Sequence, residues 1–310
     1  MLKTLLCIPT LNAAQYAAAL LQAIQRQQLK PDHIVIVDSG STDGSAETFR
    51  SAAGVEVMAI PVEQFNHGKT RQLVVDALPQ VDVVFFLTQD AVLAGRNDLE
   101  LLLACFRDEK VGAAYGRQLP RHGAGEVETH ARLYNYSEES RVRDASNILE
   151  LGIKTAFFSN SFAAYRRSAL MAVGGFPGNV ILGEDTYVAA RMLLQGWKIS
   201  YCAEAQVFHS HAFSMGDEFR RYFDIGVFHG RESWLRREFG QPGGEGVRFI
   251  KSELAFLRKT RPGLIPAAMV RNALKLVGYR LGLLEGHLPL WLKRSLSLHV
   301  GYWNQDGLWR

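Results

Sequence analysis

Apolar and polar positions fall in alternating blocks through the first ninety residues. Dense apolar runs at Leu5–Ile8, His33–Asp38 (HIVIVD), Val55–Ile60 and Val83–Leu87 (VVFFL) have the length of strands. Between them, Ala14–Gln28 sets Leu20, Leu21 and Ile24 on one face of a helix, and Ser45–Ala53 and Lys69–Ala77 also read as helices. Strands alternating with helices predict βαβ crossovers and a mostly parallel central sheet flanked by helices. The unbroken VVFFL run suits a strand covered on both faces. Functional residues in such sheets lie just past the carboxyl ends of strands. Here those positions are Thr10–Asn12, Asp38–Ser45 and Thr88–Asp90, all polar.

Past residue 116 the pattern loosens. Residues 117–155 are polar and irregular and predict a long excursion with one helix. Lys154–Arg166 returns as a strand-like run, Gly183–Gln195 reads as a helix, and Ile199–Cys202 and Gln206–Phe208 as two short strands. After about residue 215 only helical patterns remain: Glu218–Phe239, Val247–Arg258 and Leu264–Leu284, with a Pro/Gly hinge at Gln241–Gly244. The chain thus divides into an α/β unit over 1–215, itself parted near residue 116, and a helical region over 216–310.

Charge separates the same two regions. Residues 1–230 carry 21 Lys+Arg against 25 Asp+Glu; residues 231–310 carry 14 against 6. Four of the five tryptophans (Trp234, Trp291, Trp303, Trp309) also lie in that basic last quarter. Such a region suits an anionic membrane or a phosphate-bearing ligand. No nucleic-acid recognition motif accompanies it. No apolar run reaches the roughly 18–20 residues that span a bilayer. The apolar start is cut at Pro9 and reads as a first strand rather than a leader. Cys7, Cys105 and Cys202 are too scattered for a disulfide framework or a Cys-X-X-Cys zinc site, which fits a reducing, cytoplasmic setting.

Five clusters carry candidate chemistry. In Val37-Asp38-Ser39-Gly40-Ser41-Thr42-Asp43-Gly44-Ser45 a strand ends in a carboxylate, then small residues turn into a helix. Glycines let backbone N–H groups approach a ligand, and Asp38 can accept the imide N–H of a pyrimidine; a capped β-turn is the plainer reading. In Phe65-Asn66-His67-Gly68-Lys69-Thr70-Arg71, Lys69 and Arg71 offer cations and Gly68 permits close approach; an ordinary helix start competes. In Leu87-Thr88-Gln89-Asp90, Asp90 can hold a divalent cation or simply cap a turn. Gly183-Glu184-Asp185 opens a helix with two acids, as caps or as a general base. In Val207-Phe208-His209-Ser210-His211, alternating histidines can face one metal or only pack.

The order and spacing of these clusters, with Pro9-Thr10-Leu11-Asn12 before them, closely resemble family 2 inverting glycosyltransferases of the GT-A fold. FNHGKTR, LTQDA, HSH and Phe223–His229 (FDIGVFH) look most like the bacterial rhamnosyltransferase branch. The resemblance implies an α/β catalytic domain over 1–215, with a nucleotide-sugar half and an acceptor half. It implies donor contacts from Pro9, Thr10, Asn12, Asp38, Ser39, Gly40, Gly68, Lys69, Arg71, Thr88, Gln89 and Asp90. Asp185 is the implied catalytic base, supported by Glu184; Asp90 and His209, with His211 competing, are the implied ligands for Mg²⁺ or Mn²⁺. Where many members carry Asp-X-Asp this chain has Thr88-Gln89-Asp90, a form common in that branch. The implied donor is dTDP-β-L-rhamnose, with a UDP-hexose as the alternative. The implied acceptor is a glycan or lipid-linked glycan of cell-surface polysaccharide synthesis, met at the inner face of the cytoplasmic membrane. The segment 117–155 and Ser159–Ser161 are expected to shape the acceptor site. A catalytically degenerate assembly partner is the non-enzymatic alternative.

Overall fold

A computed structural model describes residues 2–240 and 244–304. The first half runs β1 (Thr4–Thr10), α1 (Ala14–Gln25), β2 (His33–Asp38), α2 (Ser45–Arg50), β3 (Glu56–Ala59), α3 (His67–Ala77) and β4 (Val83–Leu87). These are the seven elements that the apolar blocks predict. Then come β5 (Val92–Leu93), α4 (Asp98–Ala104), β6 (Val111–Leu119), α5 (Glu126–Asn135), β7 (Arg141–Arg143), α6 (Ile148–Leu151), β8 (Phe162–Arg166) and α7 (Arg167–Ala172). The chain continues as α8 (Glu184–Leu194), β9 (Lys198–Phe208), α9 (Met215–Arg231), α10 (Ser233–Phe239), α11 (Glu245–Thr260), α12 (Ile265–Leu283) and α13 (Leu290–Leu296).

The nine strands form one sheet in the order β3-β2-β1-β4-β8-β6-β9-β5, with β7 also paired to β9. β1 to β4 pair in parallel, as βαβ crossovers require. Beyond β4 the sheet is mixed: β8 lies antiparallel between β4 and β6, while β6 and β9 are parallel. Side chains alternate across the sheet. Leu5, Cys7, Val84 and Phe86 face one core, with α3, α8 and the C-terminal helices. Leu6, Ile8, Phe85 and Leu87 face the other, with α1, α2 and α4.

Several elements differ from expectation. β6 (VGAAYGRQL) escapes a sequence reading because alanine and glycine give it no β-branched signature. β9 is one strand rather than two: Gly116 pairs Cys202 and Arg117 pairs Gln206, so residues 203–205 bulge between them. A Cβ on Gly116 would meet the Ala205 carbonyl at 2.5 Å, which explains the glycine there. Lys154–Arg166 is a helical turn at Gly152–Ala156, then a loop, then β8. The expected helix over Glu218–Phe239 is two helices, broken at Glu232. Within the expected hinge, Gln241, Pro242 and Gly243 lie outside the described residues, as does Trp309.

The C-terminal helices are not a loose appendage. Phe223, Val227, Phe228, Leu235, Phe239, Tyr302 and Trp303 complete the core on the first face of the sheet. α9 and α12 touch backbone to backbone through Gly226, Gly278 and Gly282. A Cβ on Gly282 would meet the Phe223 carbonyl at 2.1 Å, and one on Gly226 the Tyr279 carbonyl at 2.2 Å.

Candidate active site

The first two strand ends build a loop pair that is held from within. Asn12 takes a positive φ of 49°, a conformation asparagine tolerates better than most residues. Its Oδ1 accepts from Thr42 N at 2.9 Å, tying the loop after β1 to the loop after β2. Asp38 is buried; one carboxylate oxygen accepts from Gly40 N and Ser41 N, both at 3.2 Å. The other oxygen has no partner among the described residues, and neither does the buried Ser39 hydroxyl. Two unsatisfied polar groups side by side mark a place where a ligand is expected to donate and accept. Pro9 and Thr10 lie in register with Val37 and Asp38, and Gly40 takes the left-handed turn at the rim.

Gln89 is spent elsewhere. Its amide accepts from Leu11 N at 2.7 Å and donates to Leu11 O at 3.1 Å, pinning the first loop. The FNHGKTR cluster also departs from expectation. Asn66 caps α3 by accepting from Gly68 N and Lys69 N. Gly68 faces protein, since a Cβ there would meet the Pro177 carbonyl at 1.9 Å. The Lys69 stem packs over Gly178. Arg71 is buried, 3.0 Å from Glu184, and donates to His67 O at 2.8 Å. The guanidinium expected on a donor phosphate therefore serves the acids that open α8. A buried acid needs a buried partner, and that demand decides its place.

Thr88, Gln89 and Asp90 leave β4, while His209 and His211 follow β9. The sheet brings these ends together. Asp90 Oδ2 lies 3.3 Å from His209 Nε2 and 3.5 Å from His211 Nδ1. The potential ligand atoms of the three residues lie within 4.8 Å of one another. Burial lowers His209, and lowers His211 to about 3, so both imidazoles stay neutral with lone pairs to give. Arg121, from the loop after β6, stands 3.2 Å from Asp90 Oδ2 and stacks over the Tyr16 ring at 5.0 Å. The sequence marked it only as part of the segment 117–155, because its partner is 31 residues away on another strand end.

Asp185 is the second centre. It lies at the start of α8, where Oδ2 accepts from Asn160 N at 3.1 Å. Burial, then the neighbouring Glu184 charge, pushes its carboxyl up to about 6. Burial alone would raise Glu184 too, but the Arg71 charge holds it below its ordinary value. Asn160 also donates to Glu184 at 2.9 Å and accepts from Tyr165 OH at 2.7 Å. The three residues before β8 join the two centres. Ser159 takes a hydrogen bond from Gln118 at 2.9 Å, Asn160 holds both acids, and Ser161 O accepts from Thr88 N at 3.3 Å.

A tied pair of loops after the first two strands, a carboxylate–histidine cluster at the next strand end and a buried carboxylate across the sheet are the arrangement of a GT-A glycosyltransferase. Solved structures share this fold. A mannosyltransferase from Pyrobaculum calidifontis, solved with GDP-Man and Mn²⁺, superposes with a TM-score of 0.64 at 16% identity, over 93% of this chain and 88% of that one. TarS (residues 1–349) of S. aureus, solved with UDP-GlcNAc, gives 0.54 at 16% identity, over 92% and 91%. The sequence profile of glycosyl transferase family 2 matches residues 5–174. The chain is 45% identical to the O-antigen chain rhamnosyltransferase RfbN of Salmonella typhimurium, over 98% of this chain and 96% of that protein. It is 46% identical to the O-antigen chain rhamnosyltransferase WbaN of Salmonella anatum, over 96% and 95%. The chain belongs to glycosyl transferase family 2, and is a glycosyltransferase.

Proposed function

We propose that the protein moves L-rhamnose from dTDP-β-L-rhamnose to a hydroxyl of a glycan or lipid-linked glycan during O-antigen synthesis. The identity to two O-antigen rhamnosyltransferases along nearly the whole chain carries this reading. The donor base sits against Asp38 and Ser39, whose unpartnered oxygens suit the imide edge of thymine or uracil. Pro9, Thr10, Asn12 and Gly40 shape that pocket, and Arg121 reaches the diphosphate beside Asp90.

Asp90, His209 and His211 fit a divalent cation, Mg²⁺ or Mn²⁺. The His209 Nε2 atom is buried with no hydrogen-bond partner among the described residues, and it faces a carboxylate. Two imidazoles favour Mn²⁺, since Mg²⁺ prefers oxygen donors. A bound ion supplies positive charge that neutralises the departing diphosphate. Asp185 takes the proton of the acceptor hydroxyl as that oxygen bonds to the anomeric carbon. The bond from that carbon to the diphosphate oxygen breaks, dTDP leaves, and the configuration inverts. Asn160 aims the base, and Arg71 keeps Glu184 charged beside it.

Among the described residues, no helix is long and apolar enough to cross a membrane. We place the enzyme on an anionic membrane surface through α12. Its Gly278–Gly282 side packs on α9, while Met269, Val270, Leu276 and Val277 on the opposite side are 50–58% exposed. Trp291, nearby in sequence, is 70% exposed. No acid occurs between Glu253 and Glu285, whereas Arg258, Lys259 and Arg280 are exposed. An apolar stripe with basic flanks suits a helix lying in the headgroup layer.

The deciding experiment is donor turnover with dTDP-rhamnose, UDP-galactose, UDP-GlcNAc and GDP-mannose, each with Mn²⁺, Mg²⁺ or EDTA. Selective hydrolysis of dTDP-rhamnose is expected. Selective use of a UDP-hexose would discard the rhamnosyl reading and keep the mechanism. Binding of none by folded protein would favour a degenerate assembly partner.

A further inference from the structure

The parallel pairing of β6 with β9 sets Gln118 beside Val207, and His209 N continues the ladder to Leu119 O at 2.9 Å. This register brings the Gln118 amide to His209, with Nδ1 of the ring 2.8 Å from Oε1. Which end of that amide faces the ring is settled by a third residue. Arg132, on α5, donates from Nη1 to the same Oε1 at 2.5 Å. A guanidinium has only donors, so the amide oxygen must point toward it. The amide nitrogen then points to Ser159 Oγ at 2.9 Å. An oxygen fixed in this way accepts from His209, so Nδ1 carries the proton and Nε2 keeps its lone pair. That lone pair faces the Asp90 carboxylate at 3.3 Å, acceptor against acceptor, and Nε2 has no hydrogen-bond partner among the described residues.

We infer that Gln118, oriented by Arg132, is a positioning residue that locks the His209 tautomer and aims its Nε2 lone pair, beside Asp90, at a divalent cation. The inference rests on the reading of Asp90 and His209 as metal ligands and names what prepares them. Outer partners of this kind orient a ligating imidazole, and their loss weakens metal binding by about 10–100-fold. A lone carboxylate in Thr88-Gln89-Asp90 makes that orientation matter more, because no second acid shares the load. The same amide touches Ser159, so one side chain ties the metal ligand to the loop that holds Asp185.

Two measurements on the full chain test this. Long-range ¹H–¹⁵N spectra of metal-free protein labelled with [¹⁵N]histidine read the tautomer directly, with a His209→Ala sample assigning the ring. A proton on Nδ1 alone is expected; a ring protonated at Nε2 overturns the inference. Mn²⁺ affinity, read by electron paramagnetic resonance without donor, then separates orientation from packing. Gln118→Leu is expected to weaken binding about 10–100-fold, and Gln118→Glu, which keeps an acceptor oxygen, to restore most of it. Arg132→Met frees the amide to rotate without removing it, and serves if Gln118→Leu misfolds; a several-fold loss is expected. Unchanged affinity in both Gln118→Leu and Arg132→Met overturns the inference while leaving the metal ligands in place. Wild-type protein that binds no Mn²⁺ overturns the metal reading itself.

Discussion

At the residue scale, one buried ion pair shapes the reactivity of its neighbour. Arg71 holds Glu184 ionised, and burial, reinforced by the Glu184 charge, keeps Asp185 protonated to higher pH than an ordinary aspartate. With Asp185 as the proposed base, transfer uses its carboxylate form, so the rate is expected to rise as pH passes through about 6. A rate flat from pH 5 to 7.5 would remove Asp185 from the acidic limb. Asp185→Asn should keep donor affinity and lose roughly 10²–10⁴-fold in turnover, measured as transfer to acceptor. The stability consequence has a definite sign. The folded pKa lies above the unfolded value of 3.8, so the folded state binds more protons between about pH 4 and 6. This carboxyl therefore stabilises least above pH 6 and progressively more as pH falls through that window. Asp185→Asn is accordingly expected to be at least as stable as wild type at pH 8. Arg71→Met should do the opposite. It leaves Glu184 buried and uncompensated, at about 3–5 kcal/mol, visible in urea unfolding. If donor affinity fell with no loss of stability, the guanidinium would belong to the donor site after all.

At the element scale, the contact between α9 and α12 depends on missing side chains. Gly226, Gly278 and Gly282 let two backbones meet where any Cβ would collide with a carbonyl. Gly282→Ala should cost about 1–3 kcal/mol by overpacking and lower Tm by several degrees in a thermal melt. Gly286→Ala, where a Cβ meets nothing within 4 Å, should move stability by less than about 0.5 kcal/mol. Equal shifts in the two variants would mean that the glycines are not packing devices. The same helix pair explains how a polar α9 buries Phe223, Val227 and Phe228 against the sheet while α12 turns apolar residues outward.

At the scale of the whole molecule, the outward-facing apolar stripe of α12 sits on the same body as the proposed donor loops and base. That arrangement suits an enzyme whose acceptor is anchored in a bilayer. Wild-type protein is expected to sediment with vesicles containing anionic lipid at low salt and to be released by high salt, since surface charge is screened. Leu276→Glu with Val277→Glu should abolish sedimentation while donor hydrolysis in solution persists. Wild type that stays in the supernatant at low salt would sink the membrane reading. So would a dimer that the same substitutions split.

The sequence by itself determined the alternation of β1 to β4 with α1 to α3, because period-2 and period-3.6 patterns are local properties of the chain. It also marked Asp38, Asp90, Asp185, His209 and His211 by their place at element ends, and the family through the order of those motifs. Only the tertiary structure decided which of them meet. Asp90 and His209 are 119 positions apart and become neighbours because β5, two residues after Asp90, pairs with the end of β9, Val92 against Phe208. Arg71 looked like a donor contact because its charge was legible, whereas its partner Glu184 lies 113 positions on. Gln118, Arg121 and Arg132 were marked only as part of the segment 117–155, and Asn160 only within Ser159–Ser161, since an uncharged amide or a lone arginine acquires its particular role only from what the sheet sets beside it. Local pattern fixes the elements; long-range pairing, which no local pattern records, fixes the site.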